Sequence, residues 1–121
     1  MKLLIVDDEA AIQRLFLQRF RKECRDGLLE LHFAFSAAEA LQFLKKETAA
    51  DLALILSDIN MPHMSGLELL EIIRETYSSL RIFMLTAYDS ADLRRRVLAM
   101  GADEYLTKPV DFQLLRKKLF G

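Results

Sequence analysis

The chain is poor in the residues that mark several large protein classes. Cysteine occurs once in 121 residues, at Cys24, which excludes an internal disulfide framework and any cysteine-based zinc cluster. A lone thiol fits a reducing cytoplasm. Glycine occurs four times, and no Gly-rich loop follows the first apolar run, so the nucleotide-binding Rossmann-like reading of an α/β chain fails. No apolar run approaches the roughly 20 residues needed to span a bilayer. The N-terminus has no basic segment followed by a long apolar stretch and a cleavage site, so no signal peptide is expected. Neither sign of charge dominates: 17 basic against 18 acidic residues leave a formal net charge of −1. That balance gives no global basic field for nucleic acid or an acidic membrane surface. Internal repeats, linkers and low-complexity segments are also missing.

What is there is a globular balance, 52% hydrophobic and 29% charged, on a chain long enough for one core and too short for two ordinary ones. A single domain over residues 1–121 is expected. Short apolar runs alternate with longer amphipathic ones. Residues 3–7, 29–35, 52–57, 81–86 and 104–107 read as strands, the third continuously apolar as a central strand covered on both faces would be. In the second, Leu29, Leu31, Phe33 and Phe35 alternate with polar or small residues. Between the strands, Ile12, Leu15, Phe16 and Phe20 fall at helical spacing over about 9–24. Ser36-Ala37-Ala38-Glu39 and Ser65-Gly66-Leu67-Glu68 are capping boxes, the first opening a helix buried through Ala37, Ala40, Leu41 and Leu44. Leu93, Val97 and Met100 mark a fourth helix that stops at Gly101, and Asp111 caps a last one, with Val110 and Leu115 as its staple. The order βαβαβαβαβα argues for an α/β fold: a doubly wound five-stranded parallel sheet with helices on both faces. The flavodoxin-like order 2-1-3-4-5 is expected, with right-handed crossovers.

Charged residues sit where those strands end. Leu3-Leu4-Ile5-Val6 runs into Asp7-Asp8, Leu52 to Ser57 runs into Asp58, and Glu104 to Thr107 runs into Lys108-Pro109. In an open parallel sheet, functional groups collect beyond the carboxyl ends of the strands. Strands 1 and 3 are neighbours in the expected order, so three carboxylates and one ammonium would share one small site. Carboxylates that close cannot all stay ionised without compensation. A hard divalent cation with oxygen ligands relieves them, and a carboxylate beside it can attack a phosphoryl group. Each acid alone also reads as a helix cap or first-turn residue; placing all four charges at one edge is what favours a site. Thr86, at the end of strand 4, could donate its hydroxyl to a phosphoryl oxygen.

These pieces, in this order and spacing, resemble the receiver domain of two-component response regulators over essentially the full length. The matching segments are Leu4-Ile5-Val6-Asp7-Asp8-Glu9, the run from Ser57 to Glu68, Leu85-Thr86-Ala87, and the run from Gly101 to Pro109. The resemblance implies Asp58 as phosphoacceptor. It implies Asp8 and Asp58 as direct ligands of Mg²⁺, Asp7 as a ligand through water, and the backbone carbonyl of Asn60 as a further ligand. Lys108 would pair with the phosphoryl group, the Lys108–Pro109 peptide bond would be cis, and Thr86 and Tyr105 would form the switch pair. Tyr88, two residues after Thr86, could shield an acyl phosphate from water. His63, in the loop after the acceptor, reads as a solvated loop residue before it reads as a phosphoryl relay.

The implied function is a phosphorylation-activated signalling switch in a phosphorelay in the cytoplasm. Its donor would be a histidine kinase or histidine phosphotransfer protein, docking near Leu15 and Phe16. Its output domain or target would meet the face of helix 4, strand 5 and helix 5. That face carries Arg94-Arg95-Arg96 and Arg116-Lys117-Lys118. They read either as solvated helix surface or as a docking or homodimer face, paired with Asp89, Asp92, Asp103 or Glu104 of a second copy. Direct nucleic-acid binding is not expected, because the acids balance these runs. The domain is expected to be regulatory rather than an enzyme. The alternative, a small Mg²⁺-dependent phosphohydrolase with an aspartyl nucleophile, needs a general acid two residues after the nucleophile, where Asn60 stands, and a cap that no segment supplies. A stand-alone regulator and a receiver cut from a longer protein fit the sequence equally.

Overall fold

Successive residues of a strand point to opposite faces of its sheet, so a continuous apolar run demands cover on both sides. The structure, a computed structural model describing residues 1–46 and 49–121, supplies that cover. Strands β1 (Lys2–Val6), β2 (Glu30–Ala34), β3 (Leu52–Asp58), β4 (Arg81–Thr86) and β5 (Glu104–Thr107) pair in parallel, in the order β2-β1-β3-β4-β5. This is the doubly wound, flavodoxin-like sheet expected from the alternation of elements.

The helices are α1 (Ala10–Arg19), α2 (Arg21–Arg25), α3 (Ala37–Leu44), α4 (Gly66–Thr76), α5 (Ala91–Ala99) and α6 (Phe112–Phe120). On one face, Leu3, Ile5, Leu54, Leu56, Phe83 and Leu85 meet Phe16 and Phe20 of the first helical segment and Phe112, Leu115 and Leu119 of α6. The Phe112 ring stands edge-on to Phe16 and Phe20, with centroids 5.1 and 5.5 Å away. On the other face, Leu4, Val6, Ile55, Ile82 and Met84 meet residues of α3, α4 and α5. Each large apolar side chain so buried contributes about 1.5–3 kcal/mol. Among the described residues, no helix is long and apolar enough to cross a membrane.

Helix starts follow the side-chain chemistry. Ser36, Ser65, Ser90 and Asp111 accept from the main-chain N–H of Glu39 (3.1 Å), Glu68 (3.3 Å), Leu93 (3.2 Å) and Leu114 (3.0 Å), each worth about 1 kcal/mol. Glu39 completes its box one residue early, accepting from the Phe35 N–H at 3.3 Å.

Two local expectations change. The helix expected over 9–24 is two helices, because Phe20 leaves helical geometry at φ −103°, ψ 20°; its ring is buried against Phe16 and Phe112 and lies 5.0 Å beneath the Arg116 guanidinium. The helices called fourth and fifth from sequence are therefore α5 and α6. Phe35 is 38% exposed: β2 stops at Ala34 and the cap turn at Ser36 begins, so strand alternation no longer sets its direction.

Candidate functional site

Parallel register brings the strand ends level. Val6 pairs with Ser57, Asp58 with Leu85, and Thr86 with Thr107. Asp7 and Asp8 thus emerge beside Asp58, and Lys108 follows β5 two strands away. Main-chain bonds hold the exits: Asp7 N–H to Ala34 O (3.0 Å), Ile59 N–H to Leu85 O (3.0 Å) and Lys108 N–H to Thr86 O (2.7 Å). The Lys108–Pro109 peptide bond is cis.

The structure brings the four charged residues together. Carboxylate oxygens of Asp7, Asp8 and Asp58 lie within 4.8 Å of one another. Asp7 and Asp58 are buried, at 4% and 5% exposure, and Asp8 is exposed. Both oxygens of Asp7 are engaged, Oδ1 by the Glu9 N–H at 2.9 Å and Oδ2 by Lys108 Nζ at 2.8 Å. Lys108 Nζ lies 3.4 Å from Asp58 Oδ2. The ammonium thus bridges the two buried acids, with its stronger contact to Asp7.

Burial pushes the Asp58 carboxyl above the usual carboxylate range; Lys108 pulls it down, the neighbouring Asp7 adds to the rise, and the Asn60 main-chain amide lowers it slightly. Burial acts to lower the Lys108 ammonium, but its hydrogen bond to Asp7 and the charges of Asp58 and Asp7 outweigh that and hold it above its ordinary value. Three carboxylates against one ammonium leave an excess of two negative charges. An all-oxygen donor set with that excess fits a hard divalent cation, with Asp7, Asp8 and Asp58 able to hold it.

The segment after Asp58 is held by a close approach that the capping-box reading missed. Gly66, at the start of α4, donates its N–H to Ile59 O at 2.7 Å. A Cβ there would lie 2.1 Å from the Asp58 carbonyl oxygen, so only glycine lets α4 begin so close to the acceptor's main chain. Asn60 and His63 follow on the exposed loop, His63 with a left-handed φ of 66°.

Thr86 is fully buried, and its Oγ1 accepts from the Tyr88 N–H at 3.1 Å. The Tyr88 carbonyl in turn accepts from the Tyr105 hydroxyl at 2.5 Å. Thr86 and Tyr105 are therefore connected through one residue's main chain, while the Tyr88 ring is 64% exposed. Sequence carried no signal for this link, because it runs through main-chain atoms. On the α5–β5–α6 face, Asp92, Asp103 and Glu104 pair with Arg95, Arg74 and Lys118 of the same chain. Of the four acids read as facing a second copy, these three have partners at home.

Known proteins share this fold and much of this sequence. A sequence model of the response regulator receiver domain matches residues 3–120. The response regulator protein FleR of Pseudomonas aeruginosa is 35% identical over 118 residues, covering 94% of this chain but 23% of that protein. The chain thus spans about a quarter of the length of FleR. A chemotaxis protein CheY homolog of Campylobacter jejuni is 33% identical, covering 98% of this chain and 89% of that protein. Among solved structures, the Vibrio cholerae chemotaxis protein CheY4 superposes with a TM-score of 0.81 at 32% identity, covering 98% of this chain and 94% of that one. With the match running from the first strand to the last helix, the chain belongs to the receiver domains of two-component response regulators, a regulatory family of phosphorylation-activated switches.

Proposed function

We propose that Asp58 accepts a phosphoryl group from a phosphohistidine on a histidine kinase or histidine phosphotransfer protein, and that residues 1–121 work as one receiver domain in the cytoplasm. The observation that carries this reading is Lys108 Nζ, 3.4 Å from a buried Asp58 that shares its site with two further carboxylates. An ionised Asp58 oxygen attacks phosphorus, a P–O bond forms, and the P–N bond breaks with its electron pair leaving on the imidazole, which takes a proton from solvent. Burial works against that ionised oxygen, and Lys108 works for it. Asp7, Asp8, Asp58 and the Asn60 carbonyl are the residues that would hold Mg²⁺. When bound, Mg²⁺ supplies charge neutralisation for the carboxylates and the phosphoryl oxygens.

The acyl phosphate adds close to two negative charges and three acceptor oxygens. Lys108 turns from Asp7 toward it. The Thr86 hydroxyl, which now accepts from Tyr88, donates to a phosphoryl oxygen and pulls on the segment that also receives the Tyr105 hydroxyl. The change reaches the α5–β5–α6 face, where an output domain, a target protein or a second copy docks. The test is intact-mass measurement after incubation with Mg²⁺ and acetyl phosphate. One phosphoryl adduct, lost in Asp58→Asn, supports the reading; no Mg²⁺-dependent adduct overturns it, and rapid multiple turnover of a phosphomonoester would favour the phosphohydrolase.

A further inference from the structure

Arg94, Arg95 and Arg96 are consecutive and equally basic, yet they are placed differently. Arg95 pairs along its own helix with Asp92. Arg94 turns back over β5: its guanidinium carbon lies 4.8 Å from the centroid of the Tyr105 ring, and Nη1 reaches the Tyr105 carbonyl at 3.5 Å. Beneath it, Tyr105 is 2% exposed and its hydroxyl donates to the Tyr88 carbonyl at 2.5 Å. The ring is therefore held at both ends, by a main-chain acceptor at its tip and by a cation over its face. Arg94 and Tyr105 also line a cavity of about 330 Å³ with Thr107, Leu114 and Lys118.

We propose that Arg94 is a positioning residue of the switch, latching the Tyr105 ring inward before any phosphoryl group arrives. The inference rests on the reading of Thr86 and Tyr105 as the switch pair and adds a residue to it. An arginine over an aromatic face at an exposed site shifts an equilibrium by about two- to fivefold. The inward-to-outward ratio of Tyr105 is thus that much higher than it would be without the guanidinium. The hydroxyl end bears on the same segment as Thr86, so an inward ring pre-forms the arrangement that favours phosphoryl acceptance, and the rate follows the inward fraction.

The test uses the whole chain labelled with 3-fluorotyrosine. It contains three tyrosines, and the Tyr105 resonance is the one lost in Tyr105→Phe. In the unphosphorylated protein the Tyr105 shift averages the inward and outward poses. Arg94→Ala is expected to move it toward the value of a solvated tyrosine, with a two- to fivefold lower inward-to-outward ratio, and to leave Tyr77 in place. Arg94→Met keeps the bulk without the charge and should resemble Arg94→Ala; Arg94→Lys should fall between. The acetyl phosphate reaction at Asp58 should slow in proportion to the inward fraction. An unchanged Tyr105 shift in Arg94→Ala, or full rescue by Arg94→Met, overturns the latch. If wild type takes no phosphoryl group, the phosphoacceptor reading fails, while the fluorine shifts still decide the latch.

Discussion

Replacing Gly66 by alanine tests how tightly the acceptor is built into the fold. The new Cβ would lie 2.1 Å from the Asp58 carbonyl oxygen, 2.7 Å from Ile59 Cα and 2.9 Å from the Asp58 carbonyl carbon. All three are main-chain atoms, so no flexible side chain can give way. Overpacking of this kind costs about 1–3 kcal/mol, and straining the Gly66 N–H bond to Ile59 O, 2.7 Å long, adds about 1 kcal/mol. Against this, alanine gains at most about 1 kcal/mol of helix propensity. The clash wins, and a net loss of about 2 kcal/mol is expected, against a total stability of about 5–15 kcal/mol for such a domain. The variant should therefore remain folded while the Asp58 main chain is displaced. A misplacement approaching 1 Å can slow a positioned reaction about 100-fold, so phosphoryl acceptance should fall at least about tenfold. Urea unfolding reads the first number and the acetyl phosphate reaction rate the second. Gly27→Ala is the control: its φ is +75° and nothing lies within 4 Å of its Cβ position, so it should lose about 1 kcal/mol from backbone strain with an unchanged rate. Wild-type stability and rate in Gly66→Ala would refute the reasoning.

Other perturbations address the charges. Mg²⁺ should raise the stability by about 2.7 kcal/mol at one hundred times its Kd, and much less in Asp8→Asn; equal Mg²⁺ effects on the two proteins' thermal unfolding would count against the metal assignment. Without metal, Asp58 has a raised folded pKa, so the folded state binds its proton more readily and stability falls as pH rises from the unfolded value through the folded one; Asp58→Asn should therefore be more stable than wild type at pH 7, as urea midpoints would show. The opposite sign applies to Glu23, held low by the hydrogen bond from Arg116 Nε at 2.7 Å, with burial opposing. Its contribution, about 1 kcal/mol for a partly exposed pair, is present above the unfolded glutamate pKa and lost as pH falls through the folded one. Glu23→Gln should thus be destabilising at pH 7 and lose that effect as pH falls through the lowered folded value. Finally, Tyr88→Ala should shorten the acyl phosphate lifetime, since Tyr88 follows Thr86 by two residues, its N–H donates to Thr86 Oγ1 and its ring is exposed; an unchanged half-life removes the shielding role.

Some features were legible in the sequence because they are local or periodic. Ser36, Ser65 and Asp111 cap because their oxygens reach N–H groups three residues on. The strand ends were legible because Asp7, Asp58 and Lys108 each interrupt an apolar run, and parallel register then does the rest. Other features depend on contacts between residues far apart in the chain. Phe20 fits the helical period of Ile12 and Phe16, yet its packing against Phe112 and Arg116, some 90 residues on, accompanies a break in the helix. Arg74, in the last turn of α4, donates to Gly101 O at 2.6 Å and to Leu80 O at 2.5 Å, and pairs with Asp103 at 2.9 Å, tying α4 to the turns before β4 and β5. Arg94 differs from Arg95 only in which way the helix aims it. The roles of Gly66 and Tyr88 run through main-chain atoms, which carry no sequence signal.

The central claim is that one carboxylate of the three is the phosphoryl acceptor. Borohydride reduces an aspartyl phosphate to homoserine, so the modified protein can be reduced, digested and sequenced by tandem mass spectrometry. The account predicts homoserine at position 58 and at neither Asp7 nor Asp8. Homoserine at either of those residues, or at none of the three in protein that carries a phosphoryl adduct, would contradict it.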